Sequence, residues 1–199
     1  MSRTTSPTKT ITALTLTSAL LLAACSNNTT TPTPSAATSQ QTTTTPTPSL
    51  TQQEISIQEV KDTFTAYIKA GDDADVAGYT PETVTSVLNY LTADGSSRLN
   101  LVSSMNTMAE QGISMTGDTV IGSVTATSYT PGKQTEQHND LGAEVIITAC
   151  TDPSGKTVYT NGEEVEVTGL NAGCTSMTWV NQQGEWLLDS SEVLAEEYH

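Results

Sequence analysis

Thr175-Ser176-Met177-Thr178-Trp179-Val180-Asn181-Gln182-Gln183-Gly184-Glu185-Trp186-Leu187-Leu188 is the stretch on which the fold reading turns. Its arms, Thr175–Val180 and Glu185–Leu188, carry the Thr, Val, Leu and Trp side chains that suit a pleated, half-buried surface. The polar break Asn181–Gly184 between them predicts an antiparallel hairpin. Upstream, Glu144–Thr151 (Glu-Val-Ile-Ile-Thr-Ala-Cys-Thr) reads as a strand that stops at the turn Asp152-Pro153-Ser154-Gly155. Lys156–Thr160 is a short strand, and Asn161-Gly162 after it suits the positive φ values of a type I′ hairpin turn. Thr119–Tyr129, full of Val, Ile and Thr, is a further strand. The second half of the chain is therefore antiparallel β.

The segment before it is helical. Thr51 and Glu54 have the spacing of a capping box, and Ile57, Val60, Phe64, Tyr67 and Ile68 recur at helical intervals. Gly71 and an acidic loop, Asp72-Asp73-Ala74-Asp75, are expected to end this helix. Thr80-Pro81 starts a second, with Thr80 as cap and Pro81 in the first turn, where its missing donor is harmless. Val84, Val87, Leu88 and Leu91 form its stripe, and Asp94-Gly95 breaks it. A third helix is expected over Ser97–Gln111, with Leu101, Val102, Met105, Met108 and Ala109 inward and the methionines as core filler. Helices followed by antiparallel strands predict an α+β fold with helices on one face of a curved sheet.

The strand end Ala149-Cys150-Thr151-Asp152, the hairpin over Lys156–Val165 and the closing Thr178-Trp179-Val180 and Gly184-Glu185-Trp186-Leu187-Leu188 are similar to secreted and lipid-anchored actinobacterial proteins with a nuclear transport factor 2-like (SnoaL-like) domain. The resemblance covers roughly residues 51–190 in element order. It implies a cone, in which helices are wrapped by a strongly bent antiparallel sheet. The fold hosts unrelated functions and supplies no mechanism by itself. Its enzymes place an Asp or His base with a Tyr or Asp donor in the mouth of the cone. By that analogy the catalytic candidates here are Tyr67, Asp73 and Asp75, with Asp72 in the same cluster. The competing reading makes Tyr67 part of the core stripe and the aspartates a solvated loop. His138, in the polar stretch Gln137–Asp140, is expected to be exposed.

No complete nucleophile–base–orienter set can be assembled, and there is no phosphate loop, His-Glu-x-x-His or G-x-S-x-G pattern. No cofactor and no metal site are expected; the aspartates near residue 73 lack the glycine and distant glutamate of a calcium loop. Trp179 and Trp186 are suited to stacking a sugar, but on facing strands they read as a cap on the core.

Arg3 and Lys9 precede an apolar run, Ile11–Leu22, of about a dozen residues, in the range of a signal-peptide core and too short to span a bilayer. Leu22-Ala23-Ala24-Cys25 resembles a bacterial lipobox, which implies cleavage before Cys25 and acylation of its sulfur. The expected layout is a signal peptide over 1–24, a lipidated Cys25 with a Thr/Pro/Ser-rich tether over 25–50, and one domain over 51–199. As a flexible coil the tether reaches roughly 30 Å, and up to roughly 80 Å if extended. The expected location is the outer face of the cytoplasmic membrane, held by the lipid, where the domain meets an envelope protein or a wall component. Beyond the signal peptide five basic residues face 22 acidic ones, a net −17. An excess of that sign repels nucleic acid.

With Cys25 acylated, Cys150 and Cys174 are left. In an exported domain two cysteines pair more often than not. Two free thiols or half of a metal site are the alternatives, although the C-x-x-C spacing of metal and redox motifs is absent.

Overall fold

In the computed structural model, residues 49–194 are described; the expected signal peptide, Cys25 and nearly all of the expected tether lie outside them, as do residues 195–199. The described residues belong to one compact unit. Three helices, α1 (Gln52–Val76), α2 (Pro81–Leu88) and α3 (Ser96–Glu110), precede seven strands. These are β1 (Ile113–Thr116), β2 (Val120–Thr130), β3 (Glu144–Asp152), β4 (Thr157–Thr160), β5 (Glu163–Val165), β6 (Gly173–Gln182) and β7 (Glu185–Val193). The architecture is α+β. A four-stranded antiparallel sheet runs β2-β3-β6-β7, and a three-stranded one runs β1-β4-β5. Among the described residues no helix is long and apolar enough to cross a membrane.

Local chemistry accounts for the helix starts. The Thr51 hydroxyl accepts from the Glu54 amide and the Glu54 carboxylate accepts from the Thr51 amide, a complete capping box. Thr80 caps α2, with Pro81 in its first turn. Gly95 precedes α3 without a side-chain cap; a Cβ there would lie 2.2 Å from Thr92 Oγ1 and 2.5 Å from the Asp189 carbonyl. Glycine is what lets this corner close against β7. Beside it the chain docks on the sheet: the Thr92 amide donates to the Leu188 carbonyl at 3.0 Å, and the Leu188 amide to the Tyr90 carbonyl at 2.8 Å.

The core lies between the helices and the large sheet. Val60 and Phe64 of α1 and Val87 of α2 share one core cluster with Val145, Ile147 and Ala149, the buried alternate positions of β3, and with Trp179 and Leu188. Trp179 and Trp186 are both buried, so the aromatic pair belongs to the core, as expected. The Trp186 indole N–H donates to Glu59 at 2.9 Å and ties the last hairpin to α1. The Asn161-Gly162 turn joins β4 to β5 with φ of 53° and 85°, as a type I′ turn requires.

Several expectations are corrected. Gly71 and Asp72–Asp75 do not end α1; the helix continues to Val76 and stops at Gly78 and Tyr79, whose φ values are 68° and 59°. The acidic residues stay helical because Asp72 and Asp75 find partners across the fold, so charge crowding does not break the helix. The last hairpin turns on Gln183-Gly184 alone, with φ of 57° and 91°, and Asn181 and Gln182 remain in β6. Ala109 is exposed although Met105 is buried, since α3 is covered along a narrower stripe than its apolar pattern suggests. His138 is half-buried: its Nδ1 lies 2.7 Å from where a Cβ of Gly184 would be, so its ring packs on the last hairpin turn. Strand β1 was not anticipated from its four residues.

Candidate functional site

The later half of α1, α3, β1 and the turn before β4 line an open-mouthed cavity of about 200 Å³. Its apolar wall is dominated by Met105 and Met108 of α3 and Met115 of β1, with Leu101 and Ile68 alongside. The methionines are core filler and cavity wall at once. The other end is polar and is built from sequence-distant pieces. Asp72 and Asp75 stand on one face of α1 at helical spacing. The turn Asp152–Gly155 delivers Lys156 between them, and the strand start at Thr119 closes the ring.

The Lys156 side chain is only 5 % exposed, and its ammonium donates to Asp72 Oδ1 at 2.6 Å and to Asp75 Oδ2. Asp72 also accepts from the Thr119 hydroxyl at 2.7 Å and the Thr119 amide at 3.0 Å. The Tyr79 hydroxyl donates to Asp75 Oδ1 at 2.6 Å. All four carboxylate oxygens therefore accept at least one hydrogen bond. Two of the lining residues keep an unspent donor. An ammonium has three protons, and Lys156 uses two. Tyr67 lines the cavity, and its hydroxyl has no hydrogen-bond partner among the described residues.

The charges of this cluster are pinned. Burial opposes ionisation of Asp72, but the bonds from Lys156 and Thr119 outweigh it and hold the carboxyl below the usual aspartate range. Burial likewise opposes the charge on Lys156, and its two carboxylate partners override that and raise its pKa. Burial and the bond to Asp75 push Tyr79 up, and burial alone raises Tyr67. Each of these shifts locks the ordinary ionic form and moves the group away from proton exchange near neutrality.

Of the candidates, Tyr67 and Asp75 are brought together at the cavity, with Asp72. Asp73 is not. One residue along the helix it faces outward, 63 % exposed, and pairs with Lys69 at 2.9 Å. Sequence reasoning missed Lys156, Tyr79 and Thr119. A signal was present for Lys156: few cations stand among many carboxylates, and a lysine next to a β-turn in such a chain is prone to be captured by acids. Among the described residues no group of three or more His, Cys, Asp or Glu is placed to hold a metal ion. Between Asp72 and Asp75 the lysine sits where a cation would.

Two wider grooves, each about 570 Å³, flank the outer face of α1. They share Asn89 and Tyr90 and are lined mainly by exposed side chains, with no converging buried polar groups. Near the amino-terminal end of α1 lies a second buried polar cluster. Asp140, 3 % exposed and at φ 62°, accepts from Ser56 at 2.6 Å, Tyr129 at 2.8 Å and the Gly132 amide at 2.7 Å. It pins the loop after β2 to the helix.

Cys150 and Cys174 face each other across β3 and β6 and form a disulfide, 24 residues apart in sequence, which settles the alternatives left open above. Closing a loop of that length stabilises the fold by about 3.5 kcal/mol, chiefly by restricting the unfolded chain. The bond lies on the sheet and does not line the cavity. Trp179 links sheet and cavity: its ring meets Tyr67 edge to face at 6.2 Å, and its indole N–H has no hydrogen-bond partner among the described residues.

No protein-family model matches the chain, and a search of curated proteins finds no match. Among solved structures it is similar to the intermembrane-space region of the chloroplast protein ARC6, at 14% identity and a TM-score of 0.45, over 75% of this chain and 100% of that one. This distant likeness leaves the cavity, its buried lysine and the α+β architecture as the features on which a functional reading rests.

Proposed function

We propose that this chain is a lipid-anchored extracytoplasmic binding protein whose α+β domain takes a small molecule in the cavity beside Lys156. Cys25 carries the acyl group on the outer face of the membrane, and residues 25–50 are the tether. The charged head, the apolar run and Leu22-Ala23-Ala24-Cys25 support the anchor. Three helices ahead of a β2-β3-β6-β7 sheet support a nuclear transport factor 2-like cone. So do the register shifts in β2 and at Thr178/Trp179, because such irregularities bend strands.

One observation carries the binding reading: an apolar cavity with a buried, doubly paired ammonium at one end. Few polar groups converging in a mostly apolar pocket is the usual build of a small-molecule site. The domain is read as non-catalytic because the shifts at Asp72, Lys156 and Tyr79 fix charges and free no proton.

The test uses the mature chain with its methionine methyl groups isotopically labelled and a panel of small organic molecules. Ligands should move the Met105, Met108 and Met115 methyl resonances together and leave Met177, on the sheet, in place. A panel in which no compound moves the three, or moves Met177 equally, overturns the reading. The anchor is tested separately, by labelling cells with a palmitate analogue: the wild type should be labelled and Cys25→Ala should not. Equal labelling of both, or of neither, removes the lipoprotein proposal.

A further inference from the structure

Resting on the binding reading above, we infer that the cavity selects a small, uncharged, ring-bearing molecule with one oxygen acceptor, such as an alcohol or a ketone, and rejects carboxylates. Four features of the cavity point the same way.

The first is size. An apolar cavity of about 150 Å³ takes benzene, so this one of about 200 Å³ holds a single ring with a short substituent. The second is the character of the wall. Met105, Met108 and Met115 bring three thioethers to one surface. Sulfur contacts with aromatic rings are favourable, and methionine adapts to the shape it meets.

The third is the pattern of unspent hydrogen bonds. The polar end offers donors: the third proton of Lys156 and the hydroxyl of Tyr67. Its acceptors are already partly engaged: each oxygen of Asp72 and Asp75 receives a bond, and Asp72 Oδ1 receives two. A ligand oxygen that accepts satisfies donors left over by the fold. A ligand that only donates must share oxygens that already accept from Thr119, Tyr79 and Lys156, and leaves the spare donors unmet.

The fourth is charge. Two carboxylates and one ammonium sum to −1 within this partly buried cluster. An anion entering the cavity would meet that net charge where water screens it poorly, which disfavours it. The ammonium does not attract an anion as a lone lysine would, because its field is already cancelled by its two partners.

The experiment uses ligands of matched shape: benzyl alcohol, toluene and benzoate, titrated into the methionine-labelled mature chain. Benzyl alcohol should bind about tenfold more tightly than toluene, the worth of one good hydrogen bond to a charged or buried donor. Benzoate should bind more weakly than both. Tyr67→Phe removes a hydroxyl that has no partner, so it should leave the melting temperature unchanged and reduce the preference for the alcohol over toluene. Lys156→Met should erase that preference and deepen the rejection of benzoate, because the cluster then goes from −1 to −2; if it does not fold, the Tyr67→Phe result decides. Binding of all three compounds with benzoate equal to or tighter than the alcohol overturns this ligand class while the cavity remains a binding site. An unchanged alcohol preference in Tyr67→Phe, together with an unchanged preference in a folded Lys156→Met, also overturns it. If no compound moves the three methyl groups, the binding reading itself falls.

Discussion

The two buried carboxylate clusters at opposite ends of α1 invite comparison. At one end Asp140 collects Ser56, Tyr129 and the Gly132 amide, all neutral donors, and pins a loop. At the other, Asp72 and Asp75 share an ammonium, and the group opens on a cavity. Both satisfy the rule that buried polar groups are hydrogen-bonded. They differ in what is left over. The Asp140 cluster holds a loop and lines none of the cavities described above. Lys156 and Tyr67 each keep an unused donor, and both residues line a pocket of about 200 Å³. A buried polar cluster with spare donors is where function is to be sought; a saturated one is architecture.

The largest expected effect comes from breaking the ionic cluster. Lys156→Met leaves two carboxylates without their cation in a partly buried setting, and should destabilise the domain by about 4 kcal/mol in denaturant unfolding. Replacing Asp72 by Asn in that variant should recover part of the loss. Asp140→Ala removes the acceptor of three donors and asks alanine to hold a positive φ; about 3 kcal/mol should be lost. If the Asp140 variant proves much the more damaging, the neutral cluster is the stronger structural clamp and the contrast must be redrawn.

The pH dependence separates the ends further. The Asp72 carboxyl is depressed in the fold, so its contribution is complete above the unfolded value of about 3.9 and fades as pH falls through the lower folded value. The Lys156 ammonium is raised, so its contribution is complete below about 10.4 and fades as pH rises through the higher folded value. Stability curves of wild type and Lys156→Met should therefore converge on the alkaline side. Parallel curves up to the most alkaline pH at which both remain folded would show that the cluster does not titrate as described. The smallest effect belongs to Asp73→Asn: its pair with Lys69 is solvent-exposed, and less than about 0.5 kcal/mol should change. Methyl shifts on ligand binding should be unaffected, since Asp73 faces away from the cavity.

How much of this was legible varies by element. The capping box at Thr51, the Thr80-Pro81 start and the Asn161-Gly162 turn were read correctly because each is a local bargain among a few neighbouring residues. The disulfide followed from compartment and parity. The end of α1 was misjudged for the opposite reason. Four residues rich in aspartate look like a solvated loop until Thr119 and Lys156 are known to lie beside them. Tyr67 and Asp75 were named from a family likeness, and Asp73 was named with them, because the sequence spacing gives no sign of which aspartate faces inward. Lys156 was passed over as the first residue of a strand. Its role exists only across 81 residues of chain from Asp75 and 84 from Asp72.

The chain on its own determined what local forces control: helix starts, tight turns, the succession of helices and antiparallel strands, and the expectation of an acyl anchor written in its first 25 residues. Only the tertiary structure decided which aspartates meet the lysine, which hydroxyl is left without a partner and where a cavity opens. Those outcomes depend on burial and on contacts between distant segments. Their energies arise when water is removed from groups that the unfolded chain keeps apart.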